Sequence, residues 1–256
     1  MSGNGAIMEA IGLTKRFGGL TAVDDVSFKI TRGTITALIG PNGAGKSTAL
    51  ALLSGIFPPT EGQILIKGKQ MAGKQSFRIS TAGVARTFQT VQLFGNMTVV
   101  ENVMVGLHMT GRSGILTSAL RVPGVFREEK RMFEEAMERI AEVGLADRAF
   151  EPATNLPYGQ QRLLEIARAM ASGPEILLLD EPAAGLSMRE TEELAALIQK
   201  IRDTGVAVLV VDHDMKLIME VSDEVVVLVH GRKIAVGTPR EVQSDQSVIA
   251  AYLGEE

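Results

Sequence analysis

The run from residue 40 to residue 48 has the composition and spacing of a phosphate-binding loop, because it fits the pattern G-x-x-x-x-G-K-[ST]. Glycines without a Cβ let backbone N–H groups wrap a polyphosphate closely, and a helix that follows directs its N-terminal dipole at the anion. In this pattern Lys46 contacts the β- and γ-phosphates, and the Ser47 hydroxyl is a Mg²⁺ ligand. The sequence therefore predicts a nucleoside triphosphate site made of Gly40, Pro41, Asn42, Gly43, Ala44, Gly45, Lys46, Ser47 and Thr48.

An apolar segment that ends in two carboxylates, Asp180 and Glu181, could complete such a site. Asp180 would hold Mg²⁺, directly or through water, at the end of a buried strand. Glu181 would accept a proton from the attacking water, or orient that water. Taken alone, these residues and Pro182 fit a polar strand end before a turn equally well. Together with the phosphate-binding loop, they favour hydrolysis of the triphosphate.

Buried parallel strands are the elements expected to position these groups. The β-branched run 34–39 predicts a buried strand that leads into the glycine-rich loop, followed by a helix over 46–55. From Leu163 onward, predicted helices alternate with short apolar strands at 175–179, 206–211 and 225–229. That alternation is typical of a parallel sheet covered by helices on both faces.

The N-terminal segment and the middle of the chain have different hydrophobic periods. Apolar and polar residues alternate over 7–11 and 26–30, which predicts half-buried antiparallel strands. Over 98–146 the period is helical, with an apolar face that runs from Phe133 to Ala141. The charge-poor piece 111–125 contains glycines and a proline, so we expect a loop or insertion there.

Composition narrows the classes of function. The chain has 256 residues, with 26 Lys and Arg against 30 Asp and Glu, so its net charge is −4. This mild acidity argues against a nucleic-acid binder that uses a basic face. The absence of cysteine excludes disulfide scaffolds, thiolate metal sites and a cysteine nucleophile. No apolar run approaches the roughly 18 residues that span a bilayer and no signal peptide is visible, so we expect a soluble or peripheral protein.

Five elements occur in the order and spacing of an ABC-type ATPase, and the chain resembles that family over essentially its whole length. They are the loop 40–48, Gln89 in Arg-Thr-Phe-Gln, the segment 156–161 (Leu-Pro-Tyr-Gly-Gln-Gln), the strand 176–181, and His213 in Val-Asp-His-Asp. The resemblance implies one α/β P-loop NTPase domain over 1–256. Its RecA-like parallel-sheet core and N-terminal antiparallel β-subdomain would occupy 1–95 and 173–256, and an inserted α-helical subdomain would occupy 96–172. It also implies that the nucleotide is ATP.

The resemblance implies roles for three residues near the nucleotide. Gln89 would be a Mg²⁺ ligand that joins the metal and the attacking water to the surface facing a membrane partner. His213 would contact the γ-phosphate and keep Glu181 and the water in place. Phe17 would stack its ring on adenine, with a buried core phenylalanine as the alternative interpretation.

Members of this family pair head to tail, and each nucleotide lies between the loop of one subunit and the signature of the other. At the signature position of this chain stand Tyr158, Gly159 and Gln160, which would lead into a helix over 160–171. The N-terminus of that helix would face the phosphate held by the opposite subunit.

Two departures from the family pattern concern this pairing. Pro157 and Tyr158 stand where the common signature has Ser and Gly, and Ser187 stands where the family often has Asp. Pro157 offers neither a hydroxyl nor an N–H, so this signature would give the opposite γ-phosphate fewer hydrogen bonds. We therefore expect two unequal sites and a different homologous chain as the second ATPase, with a homodimer as the alternative.

Within the family, the chain is most similar to the ATPase subunits of branched-chain amino acid importers. The segments that carry this similarity are 16–23, 86–94, the helical insertion near 107–130, 156–161, 180–186 and the tail 248–255. Such importers combine two different ATPases, two transmembrane permeases and a periplasmic solute-binding protein. The similarity implies a cytoplasmic subunit, peripheral on the inner face of the cell membrane, that binds no nucleic acid.

Three other functions stay open at this point. A soluble ABC-type ATPase with a role other than transport is disfavoured by the single ATPase unit, the lack of coiled-coil arms and the net negative charge. A nucleotide-gated module that does not hydrolyse is suggested by Pro157, whereas Asp180, Glu181 and His213 predict activity. An ABC ATPase that exports lipopolysaccharide is similar in size, and only the insertion and the tail argue against it.

Overall fold

The chain divides into two units in a computed structural model that describes residues 5–108 and 123–253. The core unit comprises Met1–Gln89 and Glu175–Glu256, and the helical unit comprises Thr90–Pro174. The helical unit is thus an insertion along the chain, and the predicted helical subdomain 96–172 falls inside it.

Six strands form the central sheet of the core unit. They are β3 Ile35–Ile39, β6 Val84–Arg86, β7 Ile176–Asp180, β8 Ala207–Val211, β9 Glu224–Val229 and β10 Arg232–Gly237. Their order is β10–β9–β3–β8–β7–β6, and all pairs are parallel except that of the edge strand β10 with β9. Every residue of β3, β7 and β8 is buried, as expected for a sheet covered on both faces. The predicted parallel sheet is confirmed.

A second sheet in the core unit is antiparallel, as the alternation near the N-terminus predicted. It consists of β1 Ala6–Phe17, β2 Leu20–Thr31, β4 Glu61–Ile66 and β5 Lys69–Gln70, in the order β2–β1–β4–β5. Ile11 is exposed, because it lies on the face of β1 opposite to the buried Met8 and Ala10. The alternation is interrupted earlier, where the register between β1 and β2 shifts between Ala6 and Met8 and both Ile7 and Met8 are buried. Buried residues of both sheets, such as Leu13 and Leu38, belong to one hydrophobic cluster.

Helices flank the central sheet of the core unit. They are α1 Lys46–Leu53, α2 Ser76–Thr81, α6 Met188–Asp203, α7 Met215–Val221, α8 Pro239–Ser244 and α9 Gln246–Leu253. Three of them, α6, α7 and α8, begin with a side-chain cap. A capping box of Ser187 and Glu190 begins α6, in which each side chain bonds the other residue's backbone N–H. The Asp214 side chain accepts hydrogen bonds from the second and third backbone N–H groups of α7.

The helical unit contains α3 Val99–His108, α4 Pro123–Glu142 and α5 Tyr158–Ala171, with 3₁₀ turns at Ala146–Arg148 and Ala153–Asn155. Buried side chains of the three helices, such as Val103, Ile140 and Leu164, form its own hydrophobic cluster. Gly106 lets α3 approach α5 closely, because a Cβ at this position would collide with the carbonyl oxygen of Arg168.

The helical unit differs from the sequence-based expectations at Ala141, at the start of α5 and at residues 123–125. Ala141, expected on the apolar face of α4, is exposed, because that face is completed by Met132 instead. The signature helix begins at Tyr158, two residues before the predicted start. The predicted loop 111–125 lies outside the described residues, except that 123–125 form the start of α4.

Within residues 5–108 and 123–253, no helix is both long and apolar enough to cross a bilayer.

Candidate nucleotide site

Four loops of the core unit carry most of the predicted site residues, and each follows the carboxyl end of a parallel strand. The loop 40–45 follows β3, Gln89 follows β6, Glu181 follows β7 and His213 follows β8. Because β3, β8, β7 and β6 are successive neighbours in the sheet, these loops lie along one edge of it. In open α/β sheets, this edge is where ligands bind.

The glycine-rich loop has the geometry of a phosphate cradle. A Cβ at Gly40 would collide with the carbonyl oxygen of Leu228, and a Cβ at Gly45 would collide with that of Ala22. Gly43 also has a left-handed backbone, with φ at 77°, but its Cβ position faces open space. Glycine is thus required at two positions by close packing of the backbone, whereas the third leaves room for a ligand to approach.

Lys46 is the first residue of α1, and its ammonium group reaches back to the start of the glycine-rich loop. Its Nζ donates hydrogen bonds to the carbonyl oxygens of Gly40, at 2.5 Å, and Pro41, at 2.8 Å. The lysine is buried, whereas the neighbouring Ser47 is exposed. A buried cation at a helix N-terminus and an exposed hydroxyl beside it suit a bound polyphosphate with its metal.

Asp180 is the last residue of β7, and only one of its two carboxylate oxygens accepts a hydrogen bond from the described residues. Its Oδ2 accepts a hydrogen bond from Nη2 of Arg86 at 2.8 Å. Its Oδ1 is buried, and among the described residues it has no hydrogen-bond partner. A buried acceptor without a donor costs free energy, and a hard divalent cation would remove that cost. The carboxylate therefore fits the predicted role of Asp180 as a Mg²⁺ ligand.

Glu181 and Gln89 are brought together from neighbouring strands. The Gln89 amide Nε2 lies 3.0 Å from Oε2 of Glu181. Glu181 has φ at 44°, and the described residues contain only three other non-glycine residues with positive φ. Its N–H donates to the carbonyl oxygen of Val211 at 2.7 Å. Such backbone strain at a side chain predicted to act on water is typical of functional sites.

His213 lies just after β8, which is the strand beside β7. Its side chain is largely exposed, and its Nδ1 lies 3.6 Å from Oδ1 of Asp212. Asp212 itself is fully buried and accepts hydrogen bonds from the backbone N–H groups of Ala183, His213 and Asp214. Sequence reasoning missed Asp212, although a carboxylate directly after an all-apolar strand was a signal that could have revealed it.

Phe17 ends β1 and is 41% exposed, which contradicts the alternative of a buried core phenylalanine. Its ring meets that of Phe57 edge to face, with the centroids 5.5 Å apart. Lys15 Nζ lies 5.0 Å from the Phe17 centroid and donates to the carbonyl oxygen of Pro58. Sequence reasoning missed Phe57. Phe17 and Phe57 together present an aromatic surface on which a base could stack.

The signature residues lie in the helical unit, at the start of α5. Pro157 occupies the N-cap position and provides no side-chain cap, whereas Tyr158 is exposed and Gly159 is buried. The Gln160 Oε1 accepts a hydrogen bond from Nη1 of Arg148 at 2.6 Å. Ser187, the other departure from the family pattern, caps α6 in the core unit.

Comparison with known proteins agrees with this fold. The family model described as ABC transporter matches residues 23–184, and the one described as branched-chain amino acid ATP-binding cassette transporter matches residues 232–256. Over 250 residues the chain is 46% identical to the high-affinity branched-chain amino acid transport ATP-binding protein BraF of Pseudomonas aeruginosa, covering 97% of this chain and 98% of BraF. The corresponding protein LivG of Escherichia coli (strain K12) is 43% identical with the same coverage.

A solved structure gives the same result. The ADP conformation of an ATP-binding cassette of an ABC transporter superimposes with a TM-score of 0.86, at 30% identity, over 98% of this chain and all of that one. The parallel sheet and its glycine-rich loop define a P-loop nucleotide-binding ATPase. Within that class, the chain belongs to the ABC transporter family, as one of its ATP-binding cassettes.

Proposed function

We propose that this chain is the ATP-binding and ATP-hydrolysing subunit of a membrane importer for branched-chain or related hydrophobic amino acids. The solute class is supported by BraF and LivG, whose names state this transport and which match nearly the whole chain. The match of the tail, residues 232–256, to a branched-chain amino acid cassette model adds to this support.

Phosphate binding is the first step of the proposed mechanism. The backbone of the loop 40–45 and the N-terminus of α1 hold the β- and γ-phosphates of ATP. Lys46 turns from the carbonyl oxygens of Gly40 and Pro41 toward these phosphates, because their negative charge attracts it more strongly. Phe17 stacks on the adenine and so positions the base, at the end of the nucleotide opposite to the phosphates.

Ser47, Asp180 and Gln89 are the residues that would hold Mg²⁺ next to the phosphates. When bound, the metal neutralises the charge that develops on the phosphate oxygens during transfer. The buried Oδ1 of Asp180 supports this proposal most directly, because no donor among the described residues satisfies it. Arg86 keeps the other carboxylate oxygen occupied and so fixes the orientation of Asp180.

Hydrolysis is the second step, and the observation that carries it is the pairing of Gln89 with Glu181. The water oxygen forms a bond to the γ-phosphorus while the bond to the β–γ bridging oxygen breaks, and Glu181 takes a proton from the water. The products are ADP and inorganic phosphate. His213 contacts the γ-phosphate and helps to keep the water and Glu181 aligned.

The proposed assembly has two ATPase subunits, two transmembrane permeases and a periplasmic solute-binding protein. ATP binding closes the ATPase dimer, the permeases change from inward- to outward-facing, and hydrolysis reopens the dimer. The second ATPase is a different homologous chain, because Pro157 gives no side-chain cap at the helix tip that faces the opposite nucleotide. The subunit is then peripheral, on the cytoplasmic face of the membrane.

The experiment that tests this function uses the tagged full-length chain purified from native membranes. We expect two permeases and a second ATPase to co-purify, and proteoliposomes of the complex with its binding protein to take up leucine when ATP is supplied. Lys46→Ala should abolish uptake, whereas Lys200→Ala, at an exposed position on α6, should leave uptake unchanged. Recovery of the chain without permeases would favour the soluble ATPase, and export of lipopolysaccharide would favour the exporter.

A further inference from the structure

Asp212 is a fully buried carboxylate that accepts three hydrogen bonds from backbone N–H groups. Its Oδ1 accepts from the N–H groups of His213, at 2.7 Å, and Asp214, at 2.9 Å. Its Oδ2 accepts from the N–H of Ala183, at 2.9 Å. Burying a charge is costly unless hydrogen bonds replace its hydration, and these three donors do so.

The three donors belong to two different loops. Bonds to the next two residues, His213 and Asp214, form a local turn, as aspartate side chains often do after a strand. The bond to Ala183 crosses to the loop after β7, 29 residues away in sequence. Through these hydrogen bonds, Asp212 connects the loop that contains Glu181 to the loop that contains His213.

The loop after β7 contains a residue with an unfavourable backbone conformation. Glu181 has a left-handed backbone, which is unfavourable for a residue with a Cβ. Its own N–H is held by the carbonyl oxygen of Val211, at 2.7 Å, and Pro182 has no N–H to offer. Ala183 is thus the first residue after Glu181 whose backbone can donate a hydrogen bond, and Asp212 accepts it.

We infer that Asp212 is a positioning residue for ATP hydrolysis, which sets the place of Glu181 relative to His213. Its hydrogen bonds go to the backbones of the two loops, and its Oδ1 also lies 3.6 Å from Nδ1 of His213. This inference rests on the proposed roles of Glu181 and His213. A merely structural role would lower stability, whereas a positioning role lowers the turnover number of the folded enzyme and spares nucleotide binding.

The test compares Asp212→Asn with the wild type in the complete transporter complex. The amide has the shape of the carboxylate but only one acceptor atom, so it cannot accept from both loops. We expect kcat for phosphate release to fall by about 10- to 100-fold, since small misplacements of catalytic groups have effects of this size. The Kd for a fluorescent ATP analogue should stay within about twofold, because no donor to Asp212 belongs to the loop 40–48.

A second variant removes the crossing bond without touching the buried charge. Replacing Ala183 by its α-hydroxy acid analogue converts the amide into an ester, so that only the N–H that donates to Oδ2 is lost. Asp212 then keeps the bonds to His213 and Asp214. We expect kcat to fall in the same direction as in Asp212→Asn, with the Kd again unchanged.

The matched control is Asp214→Ala on the same loop. The Asp214 side chain caps α7 by accepting from the N–H groups of Lys216 and Leu217. The alanine variant loses this cap but keeps the backbone N–H that donates to Asp212. Loss of the cap should lower Tm by about 2–4 °C and leave kcat within about twofold of the wild type.

The outcomes separate the inference from the function on which it rests. If Asp212→Asn keeps kcat within about twofold, or if kcat and nucleotide affinity fall together with the folded fraction, Asp212 is not a positioning residue. If the wild type releases no phosphate, or Glu181→Gln is as active as the wild type, the proposed function itself fails and the inference fails with it.

Discussion

Arg86 and Asp180 form a nearly buried ion pair between the neighbouring strands β6 and β7, with Nη2 and Oδ2 2.8 Å apart. The other terminal nitrogen of Arg86, Nη1, donates to Oγ of Ser54 at the end of α1, at 2.7 Å. One guanidinium group thus connects the helix that follows the phosphate loop to the predicted metal ligand. Breaking such a pair leaves an uncompensated charge inside the protein.

We predict that Arg86→Met lowers the free energy of unfolding by about 3 kcal/mol, because the Asp180 carboxylate loses its cation. In an Asp180→Asn background, the same change should cost less than about 1.5 kcal/mol, since no buried charge remains to be compensated. Urea denaturation of the four proteins of this double-mutant cycle measures the coupling. Additive effects would show that the ion pair contributes no coupling energy.

Glu181→Gln should bind ATP and trap a closed dimer, because the amide keeps the shape of the side chain but cannot accept the proton of the attacking water. We expect phosphate release to fall by at least about 100-fold, within the range that general-base catalysis contributes. Phosphate release and gel filtration in the presence of ATP measure the two effects. The control is Glu193→Gln, on the exposed face of α6, which should behave as the wild type. Normal turnover of Glu181→Gln would contradict its assignment as the base.

Phe17→Ala should weaken ATP binding by about 10-fold, because stacking of a base on an aromatic ring contributes about 1–3 kcal/mol. Phe57→Ala should weaken binding by only about two- to fivefold, because Phe57 orients the Phe17 ring without stacking on the base. Phe77 is also exposed but lies on α2, so Phe77→Ala serves as the control. Fluorescence titration with an ATP analogue measures all three. Equal binding by Phe17→Ala and the wild type would exclude the stacking role.

Hydrogen bonds from Lys67 and Arg32 hold the pKa of Glu175 below its usual value of 4.5. A lowered pKa in the folded state stabilises the protein above the unfolded pKa, and this contribution is lost as the pH falls through the folded value. Glu175→Gln should therefore lower the free energy of unfolding by about 1 kcal/mol at pH 7, the size expected for a partly exposed ion pair. The difference should shrink progressively below pH 4.5. Urea denaturation at pH 7 and pH 4 tests this, and a difference independent of pH would refute it.

The sequence was sufficient for those features that depend on residues close together in the chain. The spacing of Gly40, Gly45 and Lys46 is a local requirement of a loop between a strand and a helix, so the cradle could be predicted. The apolar runs that became β7, β8 and β9 were equally visible, because strands buried on both faces are apolar throughout. Where a register shift broke the alternation, between Ala6 and Met8, the local pattern placed Ile11 on the wrong face of β1.

Only the tertiary structure decided which of these elements meet. The Arg86–Asp180 pair joins residues 94 apart in sequence, and the Asp212–Ala183 bond exists because β8 lies beside β7 with Asp180 opposite Val211. Neither strand order nor register is encoded in the residues of a single segment. They follow from how the apolar faces of all segments pack together, and so the contacts that orient Asp180 and Glu181 could not be predicted from the chain alone.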